Sequence, residues 1–293
     1  MRYWGRREPI ADTTSSSITV AGLPSLRVSG AMLQHPGCVR AVNEDAVAYI
    51  IPGENDPEAS RGVLALVADG MGGHAAGDVA SRVAAETVLR LYYETDGPPF
   101  EALANCLAAA NKAIYDQSRS DPACAGMGTT CTVLVFRDGA AFLAHIGDSR
   151  AYLWRDASLY QLSEDHSLVA ELVRRGELTP EEAMRSPQRH IIVRALGTVP
   201  VSEPSIWLDG MQLLAGDVFV LCSDGLTDLV GDATISDVVA RLTPFDACRA
   251  LVDHALAAGG TDNISVGVFA VGKERAPTEP GTTRPTPVLR DAS

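Results

Sequence analysis

Short, unbroken apolar runs set the rhythm of this chain. Leu26–Leu33, Asp45–Ile51, Gly62–Ala68, Thr129–Phe136, Ala140–Ile146, Ala151–Trp154, Val218–Leu221 and Ile264–Val271 are rich in Val, Ile, Leu and aromatics. Several end at Gly, Asp or Pro, which predicts strands, some of them fully buried. Arg137-Asp138-Gly139 lies between two runs and reads as a hairpin, because Asp-Gly accepts the positive φ of a tight turn. Strands joined by such short turns pair antiparallel, which excludes a βαβ pattern. Helical spacing appears in Ala75–Tyr93 (Ala76, Val79, Ala80, Val83, Val88) and in Phe100–Ser118 (Leu103, Leu107, Ala110, Ile114). A third helix is predicted from Thr243-Pro244-Phe245-Asp246, with Thr as N-cap and Pro in the first position, to about Ala258 before Gly259-Gly260. Helix layers packed outside antiparallel sheets accommodate this order.

Three segments break the pattern. Residues 1–25 read as a flexible lead-in, and residues 272–293 as a disordered Pro/Thr-rich tail with too few apolar residues to bury a core. Residues 163–199 are polar and helical only in short pieces (Leu168–Arg175, Pro180–Met184). They read as an insertion over one edge of the core, the usual form of a lid or substrate-facing flap. The 26–271 stretch shows no repeat of 20–50 residues, so a solenoid is not expected.

Composition narrows the class. A formal charge of −13 lacks the basic footprint that nucleic acid requires. The six cysteines form no CxxC pair and read as free thiols, which fits a reducing compartment. No apolar run reaches the roughly 20 residues needed to cross a bilayer, and the first 17 residues carry no signal-peptide core. A cytoplasmic protein without direct membrane insertion is expected.

The chemistry lies in aspartates where apolar runs meet turns. Asp69 ends a buried run and is followed by Gly70-Met71-Gly72-Gly73-His74; Asp224 ends another, within Ser223-Asp224-Gly225. Asp228 lies one helical turn beyond Asp224, so the two carboxylates share a side. Asp148 follows the run ending at Ile146, Asp45 begins a run, and Asp262-Asn263 precedes one. Any one of these reads as a turn or helix-cap residue. Five in one chain make independent turn explanations hard to sustain. A carboxylate at the end of a buried strand is costly unless it is paired or bound to metal. Scattered oxygen ligands suit hard cations such as Mg²⁺ or Mn²⁺.

Six segments, in order, closely resemble the metal-dependent protein serine/threonine phosphatases of type 2C in their bacterial form. They are Gly37-x-x-Arg40-x-x-Asn43-Glu44-Asp45, Asp69-Gly70-Met71-Gly72-Gly73-His74, Gly126-Met127-Gly128-Thr129-Thr130, Gly147-Asp148-Ser149-Arg150, Ser223-Asp224-Gly225-Leu226 and Asp262-Asn263. The resemblance covers about residues 26–271, and Asp165-His166-Ser167 with Pro187-Gln188-Arg189 look like that family's flap. It implies an α+β fold, a four-layer α-β-β-α sandwich of two antiparallel sheets flanked by helices, with a catalytic domain over 26–271. It also implies two Mn²⁺ or Mg²⁺ ions, with a third in some members. Asp69 would bridge the metals, the Gly70 carbonyl and Asp45 would complete one side, and Asp224 with Asp262 the other. Asp148 and Asp228 would contribute to the third metal. Glu44 would act through water at the metals, with Asn263 beside it, and Arg40 would hold the substrate phosphate. Two departures stand out. Gln34-His35-Pro36-Gly37 replaces the usual Ser/Thr-Asp, and Met71 stands where eukaryotic relatives have histidine. His74 is then the candidate general acid, weighed against a helix-start residue bonded to nearby backbone. His145, His166 and His190 read as core, structural or surface residues.

The resemblance implies hydrolysis of phosphoserine and phosphothreonine by a water or hydroxide bridging two divalent metals, with Asp69 and Arg40 as the catalytic residues. The expected partners are phosphorylated proteins, substrates of a cognate Ser/Thr kinase and the kinase itself, met by a monomer. The alternatives are a catalytically silent module of the same fold and a two-metal hydrolase of small phosphoesters.

Overall fold

Strands that are apolar along their whole length need a covering layer on each face. The computed structural model describes residues 16–18, 26–72 and 76–273. The chain runs through β1 (Ser16–Ile18), β2 (Leu26–His35), β3 (Asp45–Ile50) and β4 (Val63–Met71), then α1 (Gly77–Glu94) and α2 (Pro99–Ser120). Next come β5 (Gly128–Thr129), β6 (Cys131–Arg137), β7 (Ala140–Ile146), β8 (Arg150–Arg155), β9 (Ser158–Gln161), α3 (Leu168–Arg174) and α4 (Pro180–Arg185). The order closes with β10 (Ser205–Ile206), β11 (Met211–Gln212), β12 (Val218–Cys222), α5 (Asp224–Thr227), α6 (Asp232–Arg241), α7 (Pro244–Ala257) and β13 (Ile264–Lys273). One sheet has the order β1-β2-β13-β12-β8-β9, and the other β10-β7-β6-β4-β3, with β11 beside β7 and β5 beside β4. Every strand pair is antiparallel.

The two-residue period of a strand divides each apolar run between two cores. In β4, Leu64, Leu66 and Ala68 pack under α1 and α2, whereas Val63, Ala65 and Val67 face the other sheet. β6 repeats this, with Val133 and Val135 toward the helices and Leu134 and Phe136 inward. In the opposite sheet, Val220, Cys222, Ile264, Val266 and Val268 pack under α6 and α7, while Phe219, Leu221, Phe269 and Val271 face inward. The layers are therefore helix, sheet, sheet, helix, as expected. Phe136 meets Phe219 edge to face across the inter-sheet gap, at a centroid distance of 4.9 Å.

β7 coincides with its predicted span, and the other predicted strands match within a few residues. Asp138 (φ 52°) and Gly139 (φ 75°) form the expected hairpin turn. β9, β10, β11 and α6 were not anticipated. β1 lies inside the expected lead-in and pairs with β2, and β13 runs to Lys273, into the start of the expected tail. The rest of both terminal segments lies outside the described residues, as does His74. The insertion holds α3 and α4. Its ends are fixed by the bridges Ser167–Ile192 and Thr129–Leu196. All six cysteines are free, and only Cys38 is exposed. Among the described residues no helix is long and apolar enough to cross a membrane.

Candidate metal centre

The same parity that fills the inter-sheet core delivers the acids. Counting on from Val63, Ala65 and Val67 puts Asp69 on the inner face; counting back from Tyr49 and Val47 puts Asp45 there too. Asp45 and Asp69 are direct partners in the β3–β4 ladder. From the facing sheet, Ser223 follows Phe219 and Leu221, and Ser265 precedes Phe269 and Val271 on the same parity. Ser223 Oγ donates to Asp45 Oδ2 at 2.8 Å and Ser265 Oγ at 2.7 Å. Asp45 is 6% exposed, and its Oδ1 is buried without a hydrogen-bond partner.

Thr129 and Thr130 fix the strand end at Asp69. The Asp69 amide donates to Thr130 Oγ1 at 2.9 Å, the Thr130 amide donates to the Asp69 carbonyl at 2.9 Å, and Thr129 Oγ1 donates to that carbonyl at 2.9 Å. Thr130 Oγ1 also meets Ser149 Oγ at 2.7 Å, tying in the Asp148 loop. Gly147, at φ 113°, lies against Thr130, where a Cβ would come within 2.5 Å of the threonine side chain. Asp148 is 8% exposed, and its Oδ1 is likewise buried and unpartnered.

Asp224 opens α5 at the end of β12, and Gly225 lets that turn close on Asn263, where a Cβ would come within 2.0 Å of the Asn263 carbonyl oxygen. Burial, followed by the charges of Asp45, Asp224 and Asp148, pushes the Asp69 carboxyl well above the usual carboxylate range. Asp45, Asp148 and Asp224 are raised for the same first reason, burial. Ser265 and Ser223 oppose the shift at Asp45, and neighbouring aspartates reinforce it at all three.

The remaining predicted residues line one rim. Arg40 Nη2 donates to Asp262 Oδ2 at 2.8 Å, and the Asn263 amide donates to Asp262 Oδ1 at 2.8 Å. Asn263 Oδ1 accepts from the Glu44 amide at 2.8 Å, and its Nδ2 donates to the carbonyls of Pro36 and Val42. The Arg40-bearing loop is thereby fastened to the turn before β13. Gly70 donates its amide to the Glu44 carbonyl, and a Cβ on Gly70 would come within 2.1 Å of the Gly77 carbonyl oxygen. The Glu44 side chain lies at the start of α1, and burial raises its carboxyl. His35, in the stretch that departs from the family pattern, accepts the Gly37 amide at Nδ1 (2.9 Å).

One contact was not anticipated from sequence. His190, read as a structural or surface side chain, places Nδ1 3.3 Å from Asp228 Oδ2. Ligand atoms of His190, Asp224 and Asp228 lie within 4.8 Å of one another. No local signal reveals this, since the contact joins the insertion to α5 through the fold.

The donor set fits divalent cations. Carboxylates converge from both sheets, two of their buried oxygens have no hydrogen-bond partner, and burial together with mutual repulsion disfavours their charged forms. A hard cation with oxygen ligands relieves all three.

A helix-flanked double sheet with such an acidic cluster at its end has the frame of a divalent-metal centre, and comparison with known proteins specifies the family. The sequence model described as Protein phosphatase 2C matches residues 40–258, and the chain belongs to that family. It is 42% identical over 238 residues to the serine/threonine protein phosphatase PstP of Mycobacterium tuberculosis, a match spanning 80% of this chain but only 43% of that longer relative. Protein phosphatase PhpP of Streptococcus pneumoniae is 38% identical over 84% of this chain and 98% of its own length. The catalytic domain of PstP, solved in complex with two manganese ions, superposes with a TM-score of 0.74 at 38% identity, covering 85% of this chain and all of that one.

Proposed function

We propose that this chain hydrolyses phosphoserine and phosphothreonine in proteins, through a catalytic domain over residues 26–271 with a flap over 163–199. Asp45, Asp69, the Gly70 carbonyl, Asp224 and Asp262 would hold two Mn²⁺ or Mg²⁺ ions, and Asp148 and Asp228 would serve a third. The observation that carries this reading is Asp45. Two serines of the facing sheet hold one of its oxygens, and the other is buried and bare beside Asp69. Bound cations would supply a water nucleophile at neutral pH and neutralise charge on the phosphoryl group.

The chain's own groups do the rest. Arg40 is exposed and commits Nη2 to Asp262, leaving further N–H donors for phosphate oxygens in the forked geometry that lysine lacks. Asp262, fixed on both oxygens, sets where that guanidinium stands. Thr129 and Thr130 hold the Asp69 amide and carbonyl, and so fix the backbone from which its carboxylate projects. Phosphorylated proteins of the cytoplasm, a Ser/Thr kinase among them, are the proposed partners.

The test is phosphate release from a phosphothreonine peptide with millimolar Mn²⁺, alongside calorimetric Mn²⁺ titration. Asp69→Asn and Asp224→Asn should each lose more than the roughly 10–100-fold that removal of an outer hydrogen-bond partner brings. Unchanged turnover in both variants would defeat the reading. So would Mn²⁺ binding without any turnover by the wild type, which would favour a silent module. Hydrolysis of small phosphoesters alone would point to the other alternative.

A further inference from the structure

Between Glu182 and Glu203 the chain has no carboxylate, although Asp and Glu number 37 of 293 residues, a density that would place about two or three in such a stretch. The same stretch carries Arg185, Arg189 and Arg194. None of the three has an ion-pair partner among the described residues, whereas Arg174 and Arg175, earlier in the insertion, pair with Glu164 and Glu171. Arg185 and Arg189 are exposed and Arg194 is half-buried. Beside them Met184 (70% exposed), Ile191 (45%) and Val193 (40%) present apolar surface to solvent.

This surface is held in place and adjoins the acidic cleft. The Arg189 amide donates to the Ser186 carbonyl and the Ile191 amide to the Gln188 carbonyl, forming successive turns. The Leu168 amide donates to the Ile191 carbonyl and the Val193 amide to the His166 carbonyl, each at 2.8 Å, so the segment is bonded to the root of the insertion. His190, next to Arg189, reaches Asp228 and the neighbourhood of Asp224.

A protein of net charge −13 repels anionic substrates at a distance. Unpaired arginines reverse that sign locally, and their planar donors match carboxylate and phosphate oxygens. We propose that segment 184–194 docks the part of the substrate beside the phosphoresidue and selects peptides that carry further anionic groups, carboxylate or a second phosphate, next to an apolar side chain. The proposal rests on the protein-phosphatase reading and names its substrate class.

The test uses three phosphothreonine peptides, identical except that the flanking positions carry Asp and Glu, a second phosphothreonine, or Gln. The wild type is compared with the double variant Arg185→Gln, Arg189→Gln, and p-nitrophenyl phosphate serves as the reference substrate for both. In the wild type the anionic peptides should exceed the Gln peptide about 10-fold in kcat/KM, chiefly through KM, and high salt should shrink the difference. The double variant should lose most of that ratio while keeping its rate on p-nitrophenyl phosphate, which also reports that it folds. A preference for only one of the two anionic peptides supports the proposal and identifies the anion. Equal kcat/KM for all three peptides in the wild type overturns it, as does an undiminished ratio in the double variant. Turnover of p-nitrophenyl phosphate with no peptide cleaved overturns the protein-phosphatase reading as well.

Discussion

Both oxygens of Asp45 are buried, yet the protein uses only one. The hydroxyls of Ser223 and Ser265 fix that oxygen and so aim the other into the cleft. Ser265→Ala should lower stability by about 1–3 kcal/mol, the range for losing a hydrogen bond to a charged or buried group. Mn²⁺ binding should weaken by roughly 10–100-fold, as for other hydrogen-bond partners of metal ligands. Urea unfolding and calorimetric titration measure the two effects, and a variant unchanged in both would show that the serine does not orient the carboxylate. At this scale the acids themselves were legible, because Asp69 and Asp224, each readable alone as a turn residue, recur with Asp45, Asp148 and Asp262 where apolar runs meet turns. Which oxygen would be free was not legible, because Ser223 and Ser265 lie 178 and 220 positions away from Asp45.

Elements were legible where burial is strong and two-sided. β4, β6, β7, β12 and β13 announce themselves because both faces are apolar. β9, β10 and β11 are two to four residues long and largely uncovered, so they leave no periodic trace. The turn into β9 is a further concealment: Asp156 and Ala157 adopt φ of 51° and 58° with no glycine to signal it. α6 buries only Ile235, Val238 and Val239 among Thr, Ser and Asp, a composition weak in helix propensity. The insertion was legible as an interruption, but its fastening was not. Asn111 of α2 is 2% exposed; its Oδ1 accepts the Gly197 amide at 2.8 Å and its Nδ2 donates to the Val199 and Pro200 carbonyls. Asn111→Ala leaves these groups without their partner. The expected outcome is faster amide hydrogen exchange at Gly197 and a loss of about 1–3 kcal/mol in stability. Unaltered exchange at that amide would mean that the fastening lies elsewhere.

Over the whole molecule, two buried histidines join the insertion to the sheet. The His145 and His166 rings meet at a tilt, with centroids 4.8 Å apart. His145 shares hydrogen bonds with Thr132 Oγ1 and the Glu164 carbonyl, while His166 accepts the Gly147 amide at Nδ1 and meets Ser205 Oγ. Burial lowers His145 to about 4 and His166 to about 3, and each ring's surroundings include a nearby arginine, Arg194. The unfolded chain takes up protons near 6.5 that the folded chain refuses, so the stability these rings contribute is present above that pH and is lost as pH falls toward 4 and 3. The raised carboxyls of the cleft act in the opposite sense in the metal-free chain, so the wild type is best compared with His166→Gln, in which they cancel. The stability advantage of the wild type should shrink between pH 7 and pH 5 in urea unfolding. An advantage constant over that interval would remove His166 as the titrating group.

The position of β13 has a consequence for how the protein is made. The last strand of the described chain lies not at an edge but between β2 and β12, and the turn before it brings Asp262 and Asn263 to the cleft. Synthesis runs from the N-terminus, so β2 and β12 emerge from the ribosome before the strand that separates them. Until that strand inserts, Ser265 cannot hold Asp45, Asp262 cannot pair with Arg40, and Asn263 cannot fasten the loop that carries Arg40. A growing chain therefore has most of its acids and none of its finished cleft. The finished arrangement of Asp45, Asp262 and the Arg40 loop arrives in one step, when β13 takes its place between its neighbours.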